Sequence, residues 1–131
     1  MKFSSYDHLS FYNSMVNGTG LPSDANHQAL VYLLGVLPDT SKRFRELYSA
    51  EKDRIFPSAL NRPWQTGGTK RVTRLAFNLF NGFAGSNGKR KYEPGFLYTP
   101  DQIMEPSLLE YYLDACRLRH EFRPPDARSQ Q

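Results

Sequence analysis

Cysteine and long apolar runs are scarce in this sequence. Its 131 residues include one cysteine, Cys116, so no disulfide can form within the chain. No apolar stretch approaches the roughly 20 residues that a transmembrane helix needs. The first residues also lack the continuous apolar core of a secretory signal. These absences favour a cytoplasmic protein that does not contact membrane.

Enzyme signatures are absent as well. The sequence has no phosphate-binding GxxxxGK[ST] loop, and Gly67-Gly68-Thr69-Lys70 matches only part of it. Nothing in the pattern pairs a nucleophile with a base or two carboxylates with each other. We therefore expect a non-enzymatic protein with no catalytic residues and no cofactor. An enzyme acting on an anionic small molecule near His8 or Gln65 stays open as an alternative.

Metal ligands are few and poorly spaced. Cys116 and His120 stand four residues apart on a predicted helix and could share an ion. A site would need His8 or His27 to join them, and the spacing does not demand it. A cysteine on an apolar stripe is usually buried in the core. We expect no metal site.

Acidic residues are missing from residues 54–92. The rest of the chain has nine basic and thirteen acidic residues. The span itself holds eight basic residues, which are Arg54, Arg62, Lys70, Arg71, Arg74, Lys89, Arg90 and Lys91. A charge split of this kind indicates an anionic partner. It also fits a basic centre that packs against acidic flanks, and the sequence does not separate the two.

Alternation of polar and apolar residues, the signature of strands, is not found, and there are no internal repeats. Helical spacing recurs instead, so we predict one all-α domain of five to six helices at residues 1–123, with a disordered tail at 124–131. The central element is an apolar helix that reaches Val36, with Ser23 or Asp24 as its N-cap. The other helices are predicted at Tyr6–Val16 behind Ser5, Lys42–Asp53, Lys70–Asn81, a short turn at Pro100, and Pro106–Phe122 with Leu109, Tyr112, Leu113 and Cys116 inward.

The segment from Trp64 to Gly82 contains the clearest helical pattern. Its apolar stripe has the spacing i, i+3, i+4, i+7, i+8: Val72, Leu75, Ala76, Leu79 and Phe80. Thr69 is the predicted N-cap and Gly82 the end. Phe77 falls on the opposite, polar face. It is either the exposed anchor of a binding patch or a sign that this helix is covered on both sides.

The candidate binding residues follow from this face and from the basic loop after it. They are Gln65, Lys70, Arg71, Arg74, Phe77, Asn78, Asn81, Lys89, Arg90 and Lys91. The glycines before the helix could expose N–H groups to a phosphate or carboxylate. The simpler interpretation is a turn and N-cap that lets Trp64 fold into the core, and we favour it.

Several segments resemble a family of small bacterial proteins of unknown function, seen mainly in Gram-positive bacteria and their mobile elements. They are His8 with Phe11-Tyr12, the run from Ala29 to Gly35, Thr40, and Trp64-Gln65-Thr66-Gly67 with Val72 to Gly82. The resemblance spans most of the chain and brings no catalytic residue with it. The loop after Gly82 is basic here and more acidic in those relatives. An interaction role is implied by association, since small proteins of phages and mobile elements often bind a host or defence component.

The leading hypothesis is a non-enzymatic, inhibitor-type binding protein of a phage or mobile element. Its basic helix face would contact a host or defence protein, or a protein–nucleic-acid complex. On this hypothesis, replacing Arg71 and Arg74 with Glu abolishes partner capture and leaves the thermal melt near wild type. Direct binding of DNA or RNA through the same face and Lys89 to Lys91 is the alternative.

Overall fold

A buried helix, α2 (Ala25–Leu34), lies at the centre of the computed structural model, which describes residues 1–18 and 21–120. Every side chain from Ala29 to Leu34 is at most 1% exposed. Asp24 caps the helix, because its Oδ1 accepts from the backbone N–H of His27 at 2.9 Å. Helices on three sides bury α2, which confirms the prediction of a central core helix.

Helices dominate the described residues, and the strands are only two residues long. The α-helices are α1 (Tyr6–Gly18), α2, α3 (Pro38–Lys42), α4 (Phe44–Leu47), α5 (Gly67–Asn81), α6 (Pro100–Ile103) and α7 (Leu109–His120). The strands β1 (Tyr48–Ser49) and β2 (Arg54–Ile55) pair antiparallel, with Tyr48 opposite Ile55. Short 3-10 helices span Pro57–Asn61, Gly95–Tyr98 and Pro106–Leu108. The all-α class is confirmed.

Helix α1 is fixed to α2 by a buried histidine. Ser5 caps α1 as predicted, accepting from the N–H of His8 at 3.0 Å. The Nδ1 atom of His8 accepts from the N–H of Ser4 at 2.9 Å, so Nε2 donates to the carbonyl of Tyr32 at 2.7 Å. Burial lowers the pKa of His8 despite that hydrogen bond. His8 is therefore a neutral packing residue that holds the two helices together.

The predicted third helix, Lys42–Asp53, is wrong in its second half. The chain forms two short helices, α3 and α4, separated at Arg43, and then turns into the β1–β2 hairpin. The N–H of Phe56 extends the pairing by donating to the carbonyl of Leu47 at 2.9 Å. Helical spacing of Phe44, Leu47 and Tyr48 also suits a single turn followed by a strand. All three are buried.

The last helix turns a different face toward the core than the predicted stripe of Leu109, Tyr112, Leu113 and Cys116. It starts at Leu109, after a 3-10 turn, and buries Tyr112 and Ala115 against α2. Leu109 and Leu113, both predicted inward, are 43% and 44% exposed. The hydroxyl of Tyr112 donates to the carbonyl of Ile103 at 3.2 Å, which fixes this orientation.

Some expectations concern residues outside the described ranges. These are the end of the last helix near Phe122 and the tail at 124–131. The first helix, predicted to end at Val16, continues to Gly18. Among the described residues, no helix is long and apolar enough to cross a membrane.

Candidate binding surface

Helix α5 begins with a reciprocal cap. Thr66 precedes the helix, and its Oγ1 accepts from the N–H of Thr69 at 3.2 Å, while the N–H of Thr66 donates to Thr69 Oγ1 at 2.7 Å. Thr69 was predicted as the N-cap and instead completes the cap from inside the helix. At the other end Gly82 adopts φ +81°, as predicted for a left-handed terminator.

The side chains before α5 tie it to the rest of the fold. Gln65 uses both ends of its amide: Oε1 accepts from the hydroxyl of Thr69 at 2.6 Å, and Nε2 donates to the carbonyl of Ala59 at 3.2 Å. Trp64 is half-buried, donates from Nε1 to Glu46 at 3.2 Å, and lies under the guanidinium of Arg43. Gln65 thus holds the start of the helix in place.

Phe77 is fully buried, at 0% exposure, and is not a surface anchor. Its ring meets that of Phe83 edge-on with centroids 6.1 Å apart, and Phe83 contacts the rings of Tyr92 and Tyr98. The segment after α5 therefore folds back over the polar face of the helix. Of the two interpretations of Phe77, the structure bears out a helix covered on both sides.

Arg74 is buried within that cover. Its Nη2 and Nε donate to the carboxylate of Glu93 at 2.7 and 3.1 Å, and the Tyr98 hydroxyl donates to the same carboxylate at 2.6 Å. The side chains of Arg74 and Glu93 are only 11% and 9% exposed. Burial would raise the pKa of Glu93, but the hydrogen bonds from Arg74 and Tyr98 outweigh it and lower that pKa. A partner in solution cannot reach this guanidinium.

Three further candidates also make contacts within the fold. Arg71 Nη1 donates to Glu105 at 2.9 Å, although its side chain stays 43% exposed. Asn78 donates to the carbonyl of Phe83 at 3.1 Å, and Asn81 accepts from the N–H of Phe83 at 3.0 Å. The two asparagines direct the chain back across α5. They act as structural residues of the turn.

The acid-free span is thus partly neutralised by acids on either side of it. Arg62, Arg71 and Arg74 pair with Glu46, Glu105 and Glu93 respectively. Within the described residues, five basic side chains of the span form no ion pair: Arg54, Lys70, Lys89, Arg90 and Lys91. Three of these five are consecutive.

These three residues lie on a fixed hairpin at residues 85–92, which we call the basic hairpin. The carbonyl of Gly85 accepts from the N–H groups of Tyr92 and Glu93 at 2.7 and 3.1 Å, and Ser86 bridges to Lys91. Asn87 Oδ1 accepts from the N–H groups of Lys89 and Arg90 at 3.1 and 2.9 Å. Residues 86–91 are all exposed. Lys89, Arg90 and Lys91 are therefore the predicted candidates that lie together, exposed, on an ordered segment.

Glycine is required at the base of the basic hairpin. Gly85 has φ +100°, and a Cβ atom there would lie 2.4 Å from the carbonyl oxygen of Glu93. That distance is below any normal contact, and the opposing atom belongs to the backbone. The basic hairpin is thereby held close to the residue that binds Arg74.

A titratable cluster around the buried His27, with two aspartates that are more than half exposed, was not predicted from the sequence. The ring of His27 contacts two carboxylates, with Nδ1 at 2.7 Å from Asp24 and Nε2 at 2.7 Å from Asp53. Tyr48 also donates to Asp53, at 2.6 Å. Asp53 has φ +50° in the turn between β1 and β2, where Asp is tolerated better than most residues. The cluster joins two local pairs, Asp24 with His27 and Tyr48 with Asp53, and the contact between the pairs spans 26 residues. Only the Asp–His spacing at the N-cap of α2 could have indicated part of it.

The geometry of His27 favours the charged imidazolium, because both ring nitrogens lie 2.7 Å from carboxylate oxygens. Burial would lower the pKa of His27, but hydrogen bonds to Asp24 and Asp53 outweigh it and raise that pKa. The pKa values of both aspartates are lowered. The cluster therefore stabilises the fold below the ordinary histidine pKa of 6.5, and this contribution fades as pH rises through the higher folded value. At acidic pH it is lost as the aspartates become protonated below 3.8.

Replacing His27 with Gln tests this cluster. The wild type should melt well above the variant at pH 6, and the difference should shrink by roughly 3–6 °C at pH 9, since one charge-assisted hydrogen bond is then lost. Thermal melts of both proteins across that range measure it. The difference between the two melting temperatures cancels the contributions of titrating groups that both proteins share, including His8. A difference that does not change with pH would contradict a charged His27.

The described residues contain no group of three or more His, Cys, Asp or Glu side chains that could hold a metal ion. Cys116 is half-buried, and burial raises the pKa of its thiol. Burial therefore favours the protonated thiol at neutral pH.

Comparison with known proteins gives one assignment. No curated protein and no solved structure matches the chain. The model of a family of unknown function, DUF6075, matches residues 1–130, which is nearly the whole sequence. The chain belongs to this family.

Proposed function

We propose that the protein is a non-enzymatic binding protein whose contact surface is the basic hairpin. Its partner would be an acidic surface of a protein or of a protein–nucleic-acid complex. The supporting observation is the juxtaposition of Lys89, Arg90 and Lys91, exposed and without ion pairs in the described residues, on a hairpin fixed at its base. This proposal moves the binding surface from the face of α5, where Arg74 and Phe77 are buried.

The physical reason is the low cost of engaging these side chains. Within the described residues, the side chains of Lys89 and Lys91 have no ion-pair partner to give up, and the Arg90 guanidinium lies 4.8 Å from the centroid of the Tyr92 ring in a cation–π contact. The backbone is already ordered by the hydrogen bonds of Gly85 and Asn87. A preorganised cluster of positive charge speeds encounter with an acidic partner and loses little entropy on binding.

The test replaces all three residues with Gln. A tagged variant should retain fewer proteins than wild type after cross-linking in a bacterial lysate, with the lost bands reduced at least about tenfold, because one or two ion pairs at an interface account for that factor. The matched control removes three exposed charges elsewhere, at Lys52, Arg54 and Arg62. Bands that are lost from both variants, or from neither, would contradict the proposal.

Direct nucleic-acid binding is the second candidate. A cationic hairpin that carries an arginine stacked on Tyr92 has the charge and the aromatic surface that single strands use. Gel retardation of a single-stranded oligonucleotide should then weaken with salt, with a log–log slope of about −2 for three phosphate contacts. No retardation at low salt would exclude it. Nuclease treatment of the lysate separates the two candidates.

The setting we propose is the bacterial cytoplasm, in the context of a phage or other mobile element. It is motivated by the resemblance described above and by the lone cysteine. The partner would then be a host or defence component. The genes on either side of this one are the observation that tests the setting.

A further inference from the structure

A second surface, unrelated to the basic hairpin, lies between α1 and α4. It is a cavity of about 420 Å³, and that volume falls within the range of small-molecule pockets. Its apolar lining comes from Phe11, Met15, Phe44 and Tyr48. Lys42 and Arg45 stand on its rim and are exposed. We call it the α1–α4 groove.

The floor of the groove is rigid. Phe11 and Phe44 meet edge-on with centroids 5.4 Å apart, and Phe44 contacts Tyr48 at 5.7 Å. The ring of Phe11 also packs closely against Gly35, the residue that follows α2, because a Cβ atom there would lie 2.8 Å from the ring. An apolar ligand would therefore meet a preformed surface.

The rim of the groove is cationic. Lys42 and Arg45 form no ion pair within the described residues. Glu46 also lines the groove, but its carboxylate is shared by Trp64 Nε1 at 3.2 Å, Arg43 Nε at 3.9 Å and Arg62 Nε at 3.8 Å. Its negative charge is thus offset by neighbouring cations. The hydroxyl of Tyr48 donates to Asp53, so Tyr48 contributes its aromatic ring to the groove lining and not its polar group.

We propose that the α1–α4 groove binds a small amphipathic carboxylate, with an aliphatic or aryl body against Phe11, Met15 and Phe44 and its carboxylate between Lys42 and Arg45. Aromatic rings and a methionine favour an apolar body without demanding one shape. Two unpaired cations select an anionic head over a neutral or cationic one. No residue of the groove belongs to the basic hairpin, so this proposal and the proposed function succeed or fail separately.

Three probes of one chain length test the proposal: octanoate, octanol and octylammonium. Amide chemical shifts of the full chain are followed during titration to about 10 mM, which covers millimolar affinities. Octanoate should give saturable shifts at Phe11, Met15 and Phe44. Octanol should bind more weakly, and octylammonium weakest. Octanoate shifts that do not saturate, or that fall outside the groove, would overturn the proposal.

Two variants then test the charge. Lys42→Gln with Arg45→Gln should weaken octanoate roughly 5- to 20-fold, the factor expected for two exposed ion pairs, and leave octanol unchanged. Ala50→Glu, at an exposed position on the groove, should weaken octanoate and not octanol. Melts near wild type would show that both variants fold. Equal octanoate affinity in all three proteins would overturn the proposal.

Discussion

Replacing Arg74 with Met is expected to lower the free energy of unfolding by about 3–5 kcal/mol, the usual effect of removing one partner of a buried ion pair. The carboxylate of Glu93 is 9% exposed and would be left without its cation, with only the Tyr98 hydroxyl donating to it. Since domains are stable by roughly 5–15 kcal/mol, this loss approaches unfolding. Equilibrium denaturation by urea measures it.

Arg71 provides the matched control. It lies on the same helix and pairs with Glu105 at a similar distance, but its side chain is 43% exposed. Arg71→Met should therefore cost at most about 1 kcal/mol. Adding Glu93→Gln to Arg74→Met should recover much of the loss, because the uncompensated charge is then gone. Equal, small effects of both methionine variants would contradict a buried pair.

This expectation reverses one made from the sequence. The double replacement of Arg71 and Arg74 with Glu was expected to abolish binding and leave the melt unchanged. With a glutamate at position 74, a second carboxylate would face Glu93 in a site shielded from water. Loss of binding in that variant would therefore report unfolding. The hairpin variant avoids this problem because its three side chains are exposed.

Replacing Phe77 with Ala is expected to destabilise the protein by about 3–5 kcal/mol, as for other buried phenylalanines. Phe77 is 0% exposed and joins the α5 core to Phe83, so its loss opens a cavity under the covering segment. Urea denaturation again measures the effect.

Phe96, at 60% exposure, is the control for Phe77. Its replacement by Ala should change stability by less than about 0.5 kcal/mol. If Phe77 were the anchor of a binding patch, the two variants would have similar stabilities. A loss under about 1 kcal/mol for Phe77→Ala would contradict its buried position.

The parts of the fold that local rules determine were predictable. The apolar stripe and the end of α5 at Gly82 follow from local spacing, although the helix begins at Gly67, three residues before the predicted start, and α2 follows from a run with no polar face. The burial of the basic face of α5 was not predictable. This face is covered by residues 83–105, a segment of turns and short helices without periodicity. The first acid after the acid-free span, Glu93, is the one that Arg74 binds. Charge balance suggested such pairing without naming the pair.

The β1–β2 hairpin also depends on a contact between residues that are distant in sequence. Phe44, Leu47 and Tyr48 fit a helix locally, and the competing arrangement depends on Asp53 reaching His27, 26 residues away. Helical periodicity gives no information on contacts of that separation. In α7, Tyr112 and Ala115 are buried while Leu113 is 44% exposed, and helical spacing alone does not choose between this orientation and the predicted one.

The fixed base of the basic hairpin determines which substitutions the fold tolerates. Because Gly85 closes the loop with its own carbonyl, residues 86–91 can change in sequence or length while the cover over α5 stays in place. Substitutions at these exposed positions would then cost the fold little, whatever charge they carry. Substitutions at Gly85, Glu93 or Arg74 would instead disturb the backbone contact or the buried ion pair that holds the cover in place.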